Sequence, residues 1–314
     1  MKKTVSAAAV VMIVLAAGSA WAEETNYSIG KVGGSELKVG LGPRPVAMGE
    51  AFAGQVDDLN ATAWNPAGLS QIKGPQVGFM HNIYLQETSM EYLAYAQNLS
   101  AGSGLGAYVT YFNYGKMEKL NEVNGMPEAA GEFTPSVLSA SVGYGQWLTE
   151  SLAAGAAVKF INQRIDTAND SAVAGDAGIL FKPGLDGLQL GASIQNFGTQ
   201  LAGSSLPLNL KAGAAYRVPL KIGAGDIWTV LVDANLPFAD SKYTSVHAGT
   251  EYWYNNLVAV RAGYKVKDQG DLGGVTGLTA GAGFRVAMLS VDYAMLSFGD
   301  LGLTHQIAIT ARWE

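Results

Sequence analysis

The stretch L-A-A-G-A-A-V-K-F-I-N-Q at residues 152–163 decides the fold. Successive side chains of an extended chain point to opposite faces. Leu152, Ala154, Ala156, Val158 and Phe160 therefore share one face, while Lys159 and Gln163 lie on the other. The same split recurs in Val258, Val260, Ala262, Tyr264 and Val266 against Arg261 and Lys265, and in Leu289, Val291, Tyr293 and Met295 against Ser290 and Asp292. From Pro75 onward about fourteen such segments follow, each about ten residues long, the length a tilted strand needs to cross a bilayer. Their centres lie near Phe79, Leu93, Val109, Val142, Ala157, Gly178, Ala192, Gly213, Val230, Gly249, Ala262, Ala282, Val291 and Ile309.

So much apolar surface exceeds what one soluble core can hold. The opposite faces carry Lys159, Asp176, Lys211, Asp233, Glu251, Arg261, Asp292 and Arg312, as a polar lumen does. Only 15% of the residues are charged, against about 25% in soluble domains, and lipid contact removes the need for surface charge. No apolar run after the N-terminus is long enough for a spanning helix, so a closed barrel is the structure that satisfies its backbone in lipid. The expected fold is all-β, a transmembrane antiparallel barrel.

The connections alternate. Residues 147–151, 182–187, 253–257 and 286–290 are short turns, whereas 116–135, 198–207 and 267–275 are longer, which places the short side in the periplasm and the long side outside the cell. Trp147, Trp228, Trp253 and Trp313, with Tyr252, Tyr254 and Tyr264, fall at strand ends, where aromatic girdles sit.

Residues 1–22 begin with Lys2 and Lys3, continue apolar from about Val5 to Ala17 and end on Ala20-Trp21-Ala22, the pattern of a cleaved export signal. Its removal lowers the formal net charge of −6 by two, against a nucleic-acid partner, which asks for a basic face. Cysteine is absent, so no disulfide, thiolate metal site or lipid-modified cysteine is expected. The expected division is a signal at 1–22, a periplasmic lead and hatch at 23–72, and the barrel at 73–314.

The hatch is the one part of the mature chain that does not alternate: L-G-P-R-P-V-A-M-G-E-A-F-A-G-Q-V-D-D-L-N-A-T-A-W-N-P-A-G-L at 41–69. Pro45 suits a first helical turn, and Met48, Phe52, Val56 and Leu59 recur at helical spacing, although Gly49 and Gly54 shorten or break the helix. Asn65 before Pro66 caps a second short turn. Met48, Phe52 and Trp64 form an apolar side that either binds a ligand or is plug core. Asp57 and Asp58 offer a cation site, with hydrogen bonds to plug backbone N–H groups the simpler reading.

No enzymatic chemistry emerges. His81, His247 and His305 are far apart and are read as solvated or lumenal, without a ligand set for a metal. His247 and Glu251 face the same way and are read as part of a lumen hydrogen-bond network. Gly30 to Ser35 is glycine-rich but lacks the P-loop order, and is read as a flexible periplasmic lead. No cofactor is implied.

The run G-E-A-F-A-G at 49–54, the pair Asp57-Asp58 and W-N-P-A-G-L at 64–69 resemble the start of the PorV/PorQ family of outer-membrane proteins and, more distantly, the FadL family of hydrophobic-substrate transporters. E-Y-L-A-Y-A at 91–96, I-Q-N-F-G at 194–198, V-R-A-G-Y at 260–264 and D-Y-A at 292–294 with F-G-D-L-G-L-T-H at 298–305 extend the resemblance over most of the mature chain. The final strand, with Ile307, Ile309 and Trp313, is similar to the aromatic-ended strands read by barrel-insertion machinery, with Glu314 a departure. The resemblance implies a Gram-negative outer-membrane location and one of two roles. A FadL-like protein is a passive conduit for hydrophobic small molecules. A PorV-like one works in type IX secretion, holding secreted proteins at the cell surface. The residues assigned to the ligand and hatch are Met48, Phe52, Asp57, Asp58, Trp64, Asn65 and Pro66.

Overall fold

Alternating strands joined by tight reversals pair with their chain neighbours, and the resulting sheet removes its exposed edges by closing. The computed structural model describes residues 32–219, 223, 225–238, 244–267 and 275–313. Fourteen antiparallel strands close into a barrel. They are β1 (Gln76–Ile83), β2 (Ser89–Ser100), β3 (Ser103–Asn113), β4 (Ser136–Trp147), β5 (Leu152–Ile165), β6 (Ala168–Phe181) and β7 (Leu188–Gly198), then β8 (Asn209–Val218), β9 (Ile227–Pro237), β10 (Ser245–Tyr254), β11 (Val258–Lys267), β12 (Thr276–Val286), β13 (Leu289–Phe298) and β14 (Leu303–Arg312). The ring closes where β1 pairs with β14, from Gln76 opposite Arg312 to Ile83 opposite His305. Each centre read from the alternation falls in its own strand.

The two faces follow the alternation. Val158 and Val260 are 64% and 61% exposed on the outer surface, while their neighbours Lys159 and Arg261 are buried in the lumen at 4% and 2%. The outer surface is apolar round the ring, with Phe79, Leu93, Val142, Phe284 and Ile309 all exposed. Trp147, Trp228, Trp253 and Trp313 gather at one end, but Trp253 departs from the girdle. It points inward, with the guanidinium carbons of Arg285 and Arg261 4.3 and 5.4 Å from its ring centroid.

That end carries the short links at 148–151, 182–187, 255–257 and 287–288, and is called the turn end below. The opposite, loop end departs from the expected layout: its links at 84–88 and 299–302 are as short as those of the turn end, and two further differences stand out. The connection between β3 and β4 folds into its own hairpin, Met117–Val123 with Met126–Phe133. The link between β5 and β6 is short, at 166–167, because these two strands run fourteen residues each and carry the wall outward themselves. Lys119 Nζ lies 2.5 Å from Asp166, tying the hairpin to that reversal. The connection at 268–274 and the export signal lie outside the described residues.

The chain enters at the loop end, where Val32 bridges to Ser205. The two expectations of a loop end outside the cell and a glycine-rich lead in the periplasm therefore exclude each other; Gly30 and Lys31 lie outside the described residues. From there the chain descends through the lumen and reaches β1 at the turn end. On the way it forms short helical turns at Ser35–Lys38, Pro43–Ala47, Ala61–Trp64 and Pro66–Gln71.

The helical stripe from Met48 to Leu59 does not form a helix. Gly49 and Glu50 both have positive φ, 66° and 63°, which ends the turn begun at Pro43. The wall then supplies partners that a helix would otherwise provide: the N–H groups of Phe52 and Ala53 donate to Asp233 Oδ2 at 2.8 and 2.7 Å. A carboxylate accepting two backbone donors removes the incentive to coil.

Candidate functional site

The plug winds along the inner wall from β13 backwards to β3. Ala47 packs at β12 and β13 and Met48 at β10, then Ala53 passes β7, Asn65 β6, Pro66 β5 and β4, and Leu69 β3. Inward glycines mark this path. A Cβ on Gly263, Gly191, Gly155 or Gly104 would overlap the plug backbone at Met48–Gly49, Ala53, Pro66–Ala67 or Leu69 respectively. Absence of a side chain lets two backbones meet, which is the use of glycine at close approach.

Polar contacts fix the register of that path. Thr279 Oγ1 donates to the Ala47 carbonyl and accepts from Gly49 N–H, both at 2.9 Å. Gln195 Nε2 donates to the carbonyls of Ala63 and Trp64 at 2.8 and 2.9 Å. Asn65 caps the last turn through Ala67 N–H at 3.2 Å and donates Nδ2 to Ala53 and to Ile179 of the wall, at 3.0 and 3.1 Å.

Arg44 is the electrostatic hub. Its Nε and Nη2 fork onto Glu251 at 2.9 and 2.8 Å, and its Nη1 reaches Asp57 and Asp58 at 2.6 and 2.8 Å. Glu251 also accepts from Arg261 Nε, whose Nη1 continues to Asp292, each at 2.7 Å. A bidentate guanidinium–carboxylate pair is directional, so the chain of charges orients the plug as well as neutralising the lumen. Asp58 also accepts from Asn60 N–H at 2.9 Å. The main partner of the Asp57–Asp58 pair is thus the Arg44 guanidinium, which neither sequence reading named, and a single backbone donor, Asn60 N–H, reaches Asp58.

Above the plug, toward the loop end, lies a cavity of about 590 Å³. Its lining is apolar in part, with Leu37, Val39, Leu41, Trp64, Met90 and Phe112, and polar in part, with amides at Gln195, Asn196, Asn209 and Asn235. Lys159, Lys211 and Lys265 enter from three separate strands. Trp64 is held in place by its indole N–H, which donates to the Leu41 carbonyl at 2.8 Å. The segment that closes the cavity at the loop end carries Glu36. Its Oε2 accepts from Tyr114 Oη at 3.1 Å, while Oε1 is buried without a hydrogen-bond partner. Burial pushes the Glu36 carboxyl above its ordinary range, and burial next to Glu36 pushes the Tyr114 phenol up in turn.

No family profile matches the sequence, and no curated protein matches it. Solved structures do match. The toluene transporter TodX of P. putida superposes with a TM-score of 0.59 at 15% identity, over 88% of this chain and 99% of that one. The monoaromatic hydrocarbon channel CymD gives 0.60 at 13% identity, over 88% and 98%. A Pseudomonas aeruginosa FadL homologue gives 0.51 at 10% identity, over 84% and 95%. This chain has the fold of these channels. At such identities the likeness is one of architecture, and the role of each side chain has to come from its own geometry.

That geometry divides the residues singled out from the sequence. Of the ligand and hatch set, Trp64 alone borders the cavity; Met48 and Phe52 are completely buried, and Asn65 and Pro66 lie against the wall. Phe52 packs edge-on to Trp64, with ring centroids 6.1 Å apart. The lumenal set is inward throughout, but only Lys159 and Lys211 reach the cavity; Arg312 and Asp292 border a cleft of about 20 Å³ beneath Arg44. Asp176 pairs with Lys159 at 3.1 Å. His247 bonds Ser245 Oγ at 2.8 Å, while Glu251 is taken by the two arginines. Of the two readings left open for His81 and His305, the lumenal one does not hold: they face outward, bonded at 2.7 Å to Glu91 and to Tyr293. Arg44, Glu50 and the glycine track were not anticipated. The Arg44 signal was present, since a cation between two prolines in an otherwise apolar segment needs carboxylates, and Asp57-Asp58 follow close by.

Proposed function

We propose that the protein sits in the outer membrane with its loop end outward and passes hydrophobic small molecules through the barrel without energy coupling. The plug acts as the hatch. The observation that carries this reading is the cavity: it lies directly under the loop end, is of a size suited to one small molecule, and takes apolar lining from the plug at Leu37, Val39, Leu41 and Trp64 as well as from the wall. A ligand leaving it toward the turn end has to displace plug segments, so the plug's contacts set the rate of passage. The shared fold with TodX, CymD and a FadL homologue supports the reading, since a toluene transporter and a monoaromatic hydrocarbon channel stand among those neighbours.

The sequence resemblance to PorV and PorQ supports a second reading, in which the loops hold secreted proteins and the hatch only seals. The hairpin formed by Met117–Val123 and Met126–Phe133 is the surface that favours it, with Leu120 and Met126 exposed at the loop end. Deletion separates the two. Cells lacking the protein are expected to take up apolar aromatic compounds more slowly, with their surface proteins unchanged. Unchanged uptake of every apolar compound tried, together with loss of exported proteins from the surface, would establish the second role instead.

A further inference from the structure

The three cavity lysines differ in their partners. Lys159 Nζ has Asp176 at 3.1 Å and Asn196 Oδ1 at 2.7 Å, and Lys265 Nζ has Glu50 at 2.7 Å. Lys211 Nζ has neither a hydrogen bond nor an ion pair among the described residues; it stands 4.1 Å from the centroid of the Trp64 ring. A ring face attracts a cation but leaves its three N–H donors unused. Glu50 and Asp233 attract this ammonium from a distance, but neither forms an ion pair with it, since Glu50 is held by Lys265 and Asp233 Oδ2 by the plug backbone. A partly desolvated ammonium without a direct partner is costly to hold, and the cost falls when a bound molecule supplies one.

We propose that the cavity selects a monoanionic aromatic molecule, an arene carboxylate, with its carboxylate on Lys211 Nζ and its ring among Trp64, Phe112 and the aliphatic side chains of Leu37 and Val39. This rests on the reading of the cavity as the binding station. One ammonium without a direct ion pair matches one carboxylate brought by a ligand. A dianion would bring a second charge with no free lysine to meet it, because Lys159 and Lys265 already hold carboxylates. A neutral hydrocarbon would leave the N–H donors of Lys211 without a direct acceptor. Trp64 and Phe112 both line the cavity and give an aromatic ring partners to pack on. The site thereby differs from one for toluene, which carries no charge.

The test uses the full-length mature barrel in neutral detergent, with Trp64 fluorescence or calorimetry as the readout and heat-modifiability confirming the fold of each variant. The probes are para-tert-butylbenzoate and the neutral para-tert-butylbenzamide. The benzoate is expected to bind about tenfold or more tightly than the amide, one charge-assisted bond's worth of preference. Lys211→Met should abolish that preference, Lys211→Arg should keep it, and Lys182→Met, at the turn end, should leave it unchanged. Equal binding of the two probes would overturn the anion preference while leaving the cavity a binding site. A preference that survives Lys211→Met would overturn the assignment to Lys211. Binding of neither probe would overturn the cavity reading itself.

Discussion

The lumen has two halves built on opposite rules. Toward the turn end, inward glycines bring wall and plug into backbone contact, and apolar side chains such as Met48, Phe52 and Leu69 are completely buried between them. Toward the loop end, the inward positions of the same strands carry Lys159, Lys211 and Lys265 with their amides, and the space between wall and plug stays open. One strand shows the change within a few residues: β5 presents Gly155 to Pro66 and then Lys159 to the cavity. Removing a side chain from an inward position makes a docking surface. Lengthening and charging it keeps a second layer of chain away and leaves a chamber.

This contrast is broken most severely by adding bulk on the docked side. Gly155→Val and Gly191→Val should each expel the plug or block assembly, seen as loss of the heat-modifiable band or as new protease cleavage between residues 41 and 72. The same substitution at Gly175, where a Cβ meets only ordinary contacts, should be tolerated. Next in size is Arg44→Met. It leaves Glu251 and Asp58 buried with fewer partners, and breaking a buried pair from one side costs about 3 to 5 kcal/mol. The melting temperature should fall, and Arg44→Lys should recover only part of the loss, since an ammonium cannot fork onto Glu251.

Asn65→Ala removes a cap and two bonds to carbonyls. It should cost about 1 to 2 kcal/mol, read as faster hydrogen exchange in residues 66–71 with the barrel intact. The smallest effect concerns the loop-end segment. Burial raises the Glu36 carboxyl, so its neutral form is the one favoured when docked. The docked state's advantage is complete below the ordinary carboxylate range and is lost as pH rises through the raised value. Exchange protection at residues 35–38 should therefore be greater in mild acid than at neutral pH, and Glu36→Gln should remove that dependence.

Much of this was legible beforehand because alternation is a local property. Each strand centre, the outward Val158 and Val260, and the inward charges followed from side-chain period alone. The aromatic at position 253 was misplaced and the histidines at 81 and 305 were left open between solvent and lumen, for two different reasons. Being near a strand end does not tell which face a ring takes. A histidine also looks lumenal until its parity is counted against the closed register, which puts His81 beside Glu91 on the outer surface.

The sequence by itself determined the wall: strand number, faces, the polar lumen and a plug too irregular to be a strand. Tertiary structure alone decided what the plug does inside it. Met48, Phe52, Val56 and Leu59 have helical spacing, yet the backbone there bonds to Asp233 and Thr279, residues about 180 to 230 positions away, whose nearness depends on ring closure. The same closure brings Lys211 over Trp64 and leaves it without a direct ion pair among the described residues, while Lys159 and Lys265 find theirs. Periodicity records which face a residue takes on its own element. It carries no information on which distant carboxylate or ring will stand opposite, because that is set by the shear and closure of the whole barrel.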